Sequence, residues 1–233
     1  MTTAAPARTE AERAAIRVAA ERELVRREFV DFLGFMFIRS DDPLNPVVSK
    51  WLPWPYLIAQ ALFWALGVSE VILKDRQLGY SWLAAAFAVF RARNGAAVAV
   101  ISKGQLEARE FLAKCAFVER HLPAHLRTAR ERDIQTDKIT FTDAGGVIMA
   151  FPSTPDAGVS FTFQLVIMDE AHFHPYAGPN YAALRPTVSA GGQIIILSTA
   201  DPELGSFGWF PEMYWASKRG ETGYASRFVP WHV

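Results

Sequence analysis

A short apolar segment that ends in two acids constrains this chain most. It runs from Phe163 to Glu170 and reads FQLVIMDE. The Val- and Ile-rich run lacks strict alternation, which is typical of a strand buried on both faces of a parallel sheet. Two adjacent buried carboxylates are costly unless a cation or a proton-transfer task offsets them, so Asp169 and Glu170 are predicted to be functional. An ordinary strand that ends in a solvated turn is the alternative.

Size and composition allow one large α/β domain, or a domain and a half. Hydrophobic residues make up 51% of the 233 residues, so a sizeable core can form. The formal charge is zero, which gives a nucleic-acid partner no support beyond a local basic face. The single cysteine, Cys115, excludes an internal disulfide and fits a reducing cytosol. No signal segment or membrane span is evident, so we expect a soluble intracellular protein without a membrane partner.

Strand and helix patterns alternate through most of the chain, which predicts an α/β fold with a mostly parallel sheet flanked by helices. Predicted strands are 70–73, 96–102, 139–141, 147–151, 163–169 and 193–197; predicted helices are 57–66, 82–93, 105–119 and 181–184. Ligands of such sheets lie at the carboxyl ends of the strands, where the acidic pair is expected.

The first 50 residues differ from the rest in composition. Ala, Glu and Arg dominate residues 9 to about 37, which predicts a helical arm on the surface. Four prolines between residues 41 and 55 predict an extended loop. We therefore expect an arm and proline-rich linker over 1–50 and the main domain over 51–233.

A candidate phosphate-binding loop follows the strand predicted at 70–73. Backbone amides and the start of the next helix would face the phosphates, with Ser81 as a Mg²⁺ ligand and Lys74 or Arg76 neutralising charge. The standard G-x-x-x-x-G-K-[ST] pattern is absent, because its first glycine is missing and Tyr80 occupies the lysine position. A β–α turn with surface cations is the alternative. The candidate nucleotide-binding residues are Lys74, Asp75, Arg76, Gln77, Leu78, Gly79, Tyr80, Ser81 and Trp82.

Two other segments add to this pattern. The apolar strand predicted at 193–197 is followed by Ser198 and Thr199, whose hydroxyls could sense the terminal phosphate of a nucleotide and relay its loss. Upstream, Trp54, Tyr56 and Gln60 could supply an aromatic surface and an amide for adenine, although core packing explains the aromatic residues equally well.

In their order and spacing, these segments resemble the ATPase half of the tailed-phage terminase large subunit, the viral DNA-packaging motor. The resemblance extends from about Leu52 to the end of the chain. In that family the phosphate loop often carries its basic residue at the start, as Lys74 does here. By the same resemblance, Gln60 matches the adenine-contacting glutamine, 165–169 the Walker B strand, and 198–200 the coupling motif.

The resemblance implies a P-loop NTPase fold of the RecA/ASCE type that hydrolyses ATP with Mg²⁺. It implies that Ser81 and Asp169 hold the metal, that Glu170 is the catalytic base, and that Lys74 and Arg76 assist catalysis. The implied partners are double-stranded DNA, the portal protein, the terminase small subunit and copies of the chain in a ring on the portal, with a monomer allowed in solution. The implied location is the host cytoplasm.

Two departures from the family pattern matter. Many relatives carry an arginine in the glycine-rich turn before the Walker B strand, whereas 156–160 here reads DAGVS. Arg76 in cis is the first candidate for an arginine finger, with Arg127, Arg130 and Arg132 as alternatives in trans. Relatives also continue into an RNase H-like nuclease, so we expect only the motor half here and no nuclease activity.

Three other functions are compatible with the acidic strand. The string DEAH at 169–172 also occurs in nucleic-acid helicases, although those enzymes require a second lobe. A metal hydrolase could use Asp169, Glu170, His172 and His174 as ligands. A nucleotide-binding assembly switch without turnover is the non-enzymatic alternative, and the presence of Glu170 argues against it.

Overall fold

The computed structural model describes residues 9–40 and 47–232, and these residues form two β-sheets. The strands are β1 (Phe37–Arg39), β2 (Val48–Lys50), β3 (Glu70–Lys74), β4 (Ala97–Ser102), β5 (Lys138–Phe141), β6 (Gly146–Pro152), β7 (Phe163–Asp169), β8 (Val188–Ser198) and β9 (Ala225–Val229). β1 and β2 form a small antiparallel pair. The large sheet has the order β5-β6-β4-β7-β8-β3-β9. Its pairs are parallel except β5 with β6, which confirms the predicted mostly parallel sheet.

Helices cover both faces of the large sheet. They are α1 (Glu10–Arg27), α2 (Phe29–Leu33), α3 (Pro55–Ala65), α4 (Tyr80–Arg93), α5 (Gln105–His121), α6 (Ala177–Leu184) and α7 (Trp209–Lys218). Along β8, Ile195 and Leu197 join a core shared with α2 to α5. Ile194 and Ile196 point to the other face, where the core includes residues of α6 and α7. This period of two is what a strand buried on both faces requires.

The N-terminal segment is not the continuous helical arm predicted over residues 9 to about 37, because it forms two helices and then enters β1. The helix is interrupted at Glu28, whose backbone is extended at φ −115° and ψ 118°. The break turns α2 so that Phe29 and Phe32 are buried. The Phe29 ring centroid lies 4.9 Å from that of Phe87 in α4. The gain from burying these aromatic rings explains why the chain leaves the helical arm here.

The predicted extended loop over 41–55 is also partly wrong. Residues 48–50 form β2, and Pro55 begins α3. Proline suits the first turn of a helix because its missing N–H would have no intrahelical partner there. Residues 41–46 lie outside the described residues.

The end of the chain contributes two elements that the sequence patterns did not predict, α7 and β9. β9 pairs in parallel with β3 and extends the sheet beyond the candidate phosphate loop. The Asp75 amide donates to the carbonyl of Val229 at 3.0 Å, and the Asp75 carboxylate accepts from the Trp231 amide at 2.7 Å. The start of the loop is therefore anchored to β9. No helix in the described ranges is long and apolar enough to span a bilayer.

Candidate functional site

Three strand ends meet at one edge of the sheet. β8 lies between β3 and β7, so its last residue, Ser198, pairs with Leu73 of β3, and Leu197 pairs with Asp169 of β7. An open cleft of about 340 Å³ lies over these ends. Across it, the Lys74 Nζ atom is 2.7 Å from Glu170 Oε1. The phosphate loop and the acidic pair, 96 residues apart in sequence, are thus in direct contact.

The loop between β3 and α4 has the conformation of a tight, strained turn. Gln77 has φ 60° and Gly79 has φ 78°. The positive φ at position 79 favours glycine, and a Cβ atom at position 79 would lie 3.0 Å from the Leu57 side chain, which would have to shift. Gly79 precedes the first turn of α4, and Ser81 in that turn lines the cleft. The free amides of a helix start are suited to binding an anion.

Glu170 is held in place by donors from two strand ends. Its Oε1 accepts from Lys74, and its Oε2 accepts from the amide and hydroxyl of Thr199 at 2.8 and 2.9 Å. Burial opposes ionisation, but the Lys74 charge and the Thr199 hydrogen bonds outweigh it and lower the pKa of Glu170. Its backbone is left-handed, with φ 54° and ψ 46°. Within the described ranges, Gln77 and Glu170 are the two non-glycine residues with positive φ, and such strain clusters at functional sites.

Asp169 differs from Glu170 because part of its carboxylate has no partner. Asp169 Oδ1 is buried and accepts no hydrogen bond from the described residues. Burial, together with the neighbouring Glu170 charge, raises the pKa of Asp169 to about 6. Asp169 lines a second cleft of about 310 Å³ that adjoins the first, together with Ser81 and Ser102. Ser102 Oγ is also buried and has no hydrogen-bond partner in the part of the chain that the structure describes. Oxygen ligands of this kind fit Mg²⁺.

Tyr80 and Gln60 belong to a buried polar network. The Tyr80 hydroxyl donates to Gln60 Oε1 at 3.1 Å, and Gln60 Nε2 donates to Glu70 Oε2 at 2.5 Å. Gln60 is fully buried and does not line the cleft, so its adenine contact remains a prediction without geometric support. Tyr56 donates to the carbonyl of Leu78 at 2.9 Å and thereby supports the loop, whereas Trp54 is exposed.

The four candidates for an arginine finger lie in different parts of the structure. Arg76 is exposed and lines the cleft. The candidates for a trans-acting role, Arg127, Arg130 and Arg132, do not line either cleft. Arg127 Nε donates to the carbonyl of Leu122 at 2.8 Å, so part of its donor capacity is used in the turn after α5.

Sequence reasoning missed Lys114 and Phe173, which both line the two clefts. Lys114 had a detectable signal, because it is the one charged residue in the apolar run 111–118, FLAKCAFV. A lysine in an otherwise apolar helix face requires an outlet for its charge. Phe173 gave no such signal, since it follows the acidic strand in a segment predicted only as loop.

The two histidines after the acidic strand hydrogen-bond to the backbone, although His174 Nδ1 is buried and has no partner among the described residues. His174 Nε2 donates to the Asp169 carbonyl at 2.7 Å. His172 Nδ1 accepts from the Asp201 amide at 2.9 Å. In the part of the chain that the structure describes, no three His, Cys, Asp or Glu side chains are grouped to hold a metal ion. The geometry therefore gives no support to a histidine-ligated metal hydrolase.

Solved structures of phage large terminases have a similar fold. The large terminase ATPase domain of Thermus phage P74-26 is 20% identical, with a TM-score of 0.51 over 69% of this chain and 75% of that chain. The large terminase of bacteriophage HK97 is 10% identical, with a TM-score of 0.66 over 91% of this chain and 43% of that chain. No protein-family model matches the chain. At these identities the likeness establishes the fold: this chain has the α/β P-loop fold of large terminase ATPase domains.

Proposed function

We propose that this chain is an ATPase and the motor domain of a phage DNA-packaging terminase. The observation that carries the proposal is the contact of Lys74 with Glu170 across a cleft bordered by a phosphate-loop-like turn and by Thr199. This cleft and the second cleft that adjoins it bring together amide donors, cations and two adjacent carboxylates, which are the groups that phosphoryl transfer requires.

In the proposed mechanism, the triphosphate lies over the amides of residues 76–81, and Lys74 and Arg76 offset its charge. Glu170 orients and deprotonates a water for in-line attack on the γ-phosphorus. Lys74 holds Glu170 in the nucleotide-free geometry, and an entering phosphate would compete for the Lys74 ammonium. Nucleotide binding would thereby release the Glu170 carboxylate to accept a proton from water.

Asp169 and Ser81 would hold Mg²⁺. The buried, unpartnered Asp169 Oδ1 fits this role, because a cation would compensate an oxygen that the protein leaves unpaired. Bound there, Mg²⁺ would neutralise charge on the phosphate oxygens. His174 positions the strand end by donating to the Asp169 carbonyl.

Ser198 and Thr199 are proposed to couple hydrolysis to movement. Thr199 binds Glu170 directly, and Ser198 Oγ accepts the amide of His172 at 3.0 Å. His172 in turn accepts the Asp201 amide. A change at Glu170 can therefore reach the segment after β8 through hydrogen bonds.

The proposed partners follow from the neighbours' description as large terminases. We propose double-stranded DNA as the translocated substrate, and the portal protein and terminase small subunit as assembly partners. The chain would act as a ring of copies in the host cytoplasm. It spans 43% of the HK97 protein, so the activities of a complete terminase are part of the proposal.

A turnover assay with Glu170→Gln tests the proposal. The variant keeps the shape of the side chain and removes the base, so ATP hydrolysis should fall at least ~10²-fold, while ATP binding persists. The exposed Glu212→Gln in α7 is the control and should retain parental turnover. Parental turnover in Glu170→Gln would refute the assignment of the base. Tight ATP binding by a parent protein that shows no turnover, even in assembled rings, would favour the assembly switch.

A further inference from the structure

The Lys114 ammonium lies at the candidate site without a hydrogen-bonded partner among the described residues, although its charge favours the ionised form of Asp169 and so acts to lower the pKa of that carboxyl group. Lys114 is partly buried and lines both clefts. It makes no hydrogen bond or ion pair with the described residues. By contrast, the Lys74 ammonium is bound to Glu170. A partly buried ammonium without a partner is costly, so an anionic ligand would stabilise it.

The direction of α5 explains how Lys114 reaches this site. α5 starts at Gln105, three residues after the end of β4, so its first residues lie at the carboxyl edge of the sheet. Side chains in a helix tilt towards its N-terminus. The long side chain of Lys114 therefore extends from the body of α5 back towards the strand ends.

The charges that line the two clefts indicate where a polyphosphate fits. The first cleft has the cations Lys74, Arg76 and Lys114 and the single acid Glu170. The second has the cations Lys103 and Lys114 and the acids Glu107, Glu110, Asp169 and Glu170. A polyanion is attracted to the first cleft and repelled from most of the second, and Lys114 stands at their junction.

The phosphate loop lacks the lysine that directly follows the second glycine in the standard G-x-x-x-x-G-K-[ST] pattern. Tyr80 stands at that position, and its hydroxyl is bound to Gln60. The cleft around Lys114 also contains Glu170 and Thr199, which mark the place of the attacking water in the proposed mechanism. Lys114 therefore lines the same cleft as the groups beside which the terminal phosphate is proposed to lie.

Building on the proposed ATPase function, we propose that Lys114 binds the γ-phosphate of ATP and supplies from α5 the ammonium that Tyr80 replaces in the phosphate loop. Lys74 would keep its proposed role of leaving Glu170 to offset phosphate charge once the nucleotide enters. The site would distinguish ATP from ADP through Lys114, because ADP has no phosphate within reach of this ammonium.

Calorimetric titration with Mg²⁺ and either AMP-PNP or ADP tests this inference. In Lys114→Met, AMP-PNP affinity should fall at least ~10-fold and ADP affinity less than ~3-fold, the scale of one charge-assisted hydrogen bond. Lys114→Arg should stay within ~3-fold of the parent for both ligands, because the charge is retained. Lys114→Gln provides the same comparison if the methionine variant melts early.

Lys103→Met is the matched control, because Lys103 lines only the second cleft and its ammonium lies over the Phe173 ring at 5.9 Å. An equal loss in Lys103→Met would indicate a general field effect and overturn the contact. An equal loss of ADP and AMP-PNP binding in Lys114→Met would overturn the γ-phosphate assignment. Unchanged AMP-PNP binding in that variant would overturn the inference and leave the ATPase proposal intact. If the parent bound neither nucleotide, the proposed function would itself fail.

Discussion

Two carboxylates at opposite edges of the large sheet, on strands separated by β8, have contrasting environments. Glu70 begins β3 and is 1% exposed. Its oxygens accept from Gln60, Trp64 and Arg227 at 2.5, 3.1 and 2.9 Å. Asp169 ends β7, and its buried Oδ1 accepts from no described residue.

The difference separates a structural charge from a charge that awaits a ligand. Buried charges stabilise a fold only when their hydrogen-bonding capacity is satisfied. Glu70 meets this condition at the amino end of the sheet, and Asp169 does not meet it at the carboxyl end. The strained residues Gln77 and Glu170 and the ammonium of Lys114 also lie at the carboxyl end. Two buried oxygens without a hydrogen-bond partner among the described residues, Asp169 Oδ1 and Ser102 Oγ, line the cleft where we propose that Mg²⁺ binds.

The largest stability effect is expected at Glu70. Glu70→Gln removes the charge that three donors share, and should lower the free energy of unfolding by about 2 kcal/mol, the scale of hydrogen bonds to a charged group. Chemical denaturation measures this loss. Glu212→Gln, an exposed substitution on α7, should change it by less than ~0.5 kcal/mol. Equal free energies of unfolding for the two variants would show that Glu70 is not a structural charge and would remove its contrast with Asp169.

Asp169→Asn should leave the stability of the nucleotide-free protein intact and remove the effect of Mg²⁺ on ATP binding, the reverse of what is expected for Glu70→Gln. Above pH 6 the Asp169 carboxyl group is mostly ionised. Because folding raises its pKa to about 6, the folded protein has a lower free energy of unfolding when this group is ionised than when it is protonated. Without nucleotide at pH 8, the variant should therefore unfold at no lower temperature than the parent. Adding Mg²⁺ should no longer increase its stabilisation by ATP, as measured by thermal shift with ATP in EDTA or in Mg²⁺. A loss of stability as large as that of Glu70→Gln would contradict the comparison.

The smallest effect is expected at Thr199. Thr199→Val removes the hydroxyl that donates to Glu170 at 2.9 Å and keeps the amide that donates at 2.8 Å. We expect turnover to fall about 5-fold, equivalent to ~1 kcal/mol for one hydrogen bond. Thr199→Ser keeps the hydroxyl and should retain most of the activity. If serine and valine lower turnover equally, the methyl contact matters and the hydrogen bond to Glu170 does not.

Local patterns were sufficient for most of the large sheet. The predicted strand at 96–102 is observed as Ala97–Ser102, and that at 147–151 as Gly146–Pro152, because dense apolar runs mark central strands. β9 reads ASRFV and has no such run. Its strand conformation depends on pairing with β3, which no local pattern encodes.

The site was predictable to the extent that it follows from topology. Carboxyl ends of parallel strands meet at one edge, so the approach of Lys74 to Glu170 could be inferred from two strand ends. The approach of Lys114 to the cleft could not be inferred in this way, because it depends on how α5 packs in the folded protein. The predicted position of Gln60 near adenine rested on its place upstream of the loop and on the resemblance, and its burial with Glu70 reflects tertiary packing.

A crystal structure of the chain with AMP-PNP and Mg²⁺ would show where the nucleotide binds. We expect the triphosphate in the cleft between residues 75–81 and Glu170, with the metal against Asp169 and Ser81. An empty cleft at saturating nucleotide, or a nucleotide bound away from both strand ends, would contradict the proposed site.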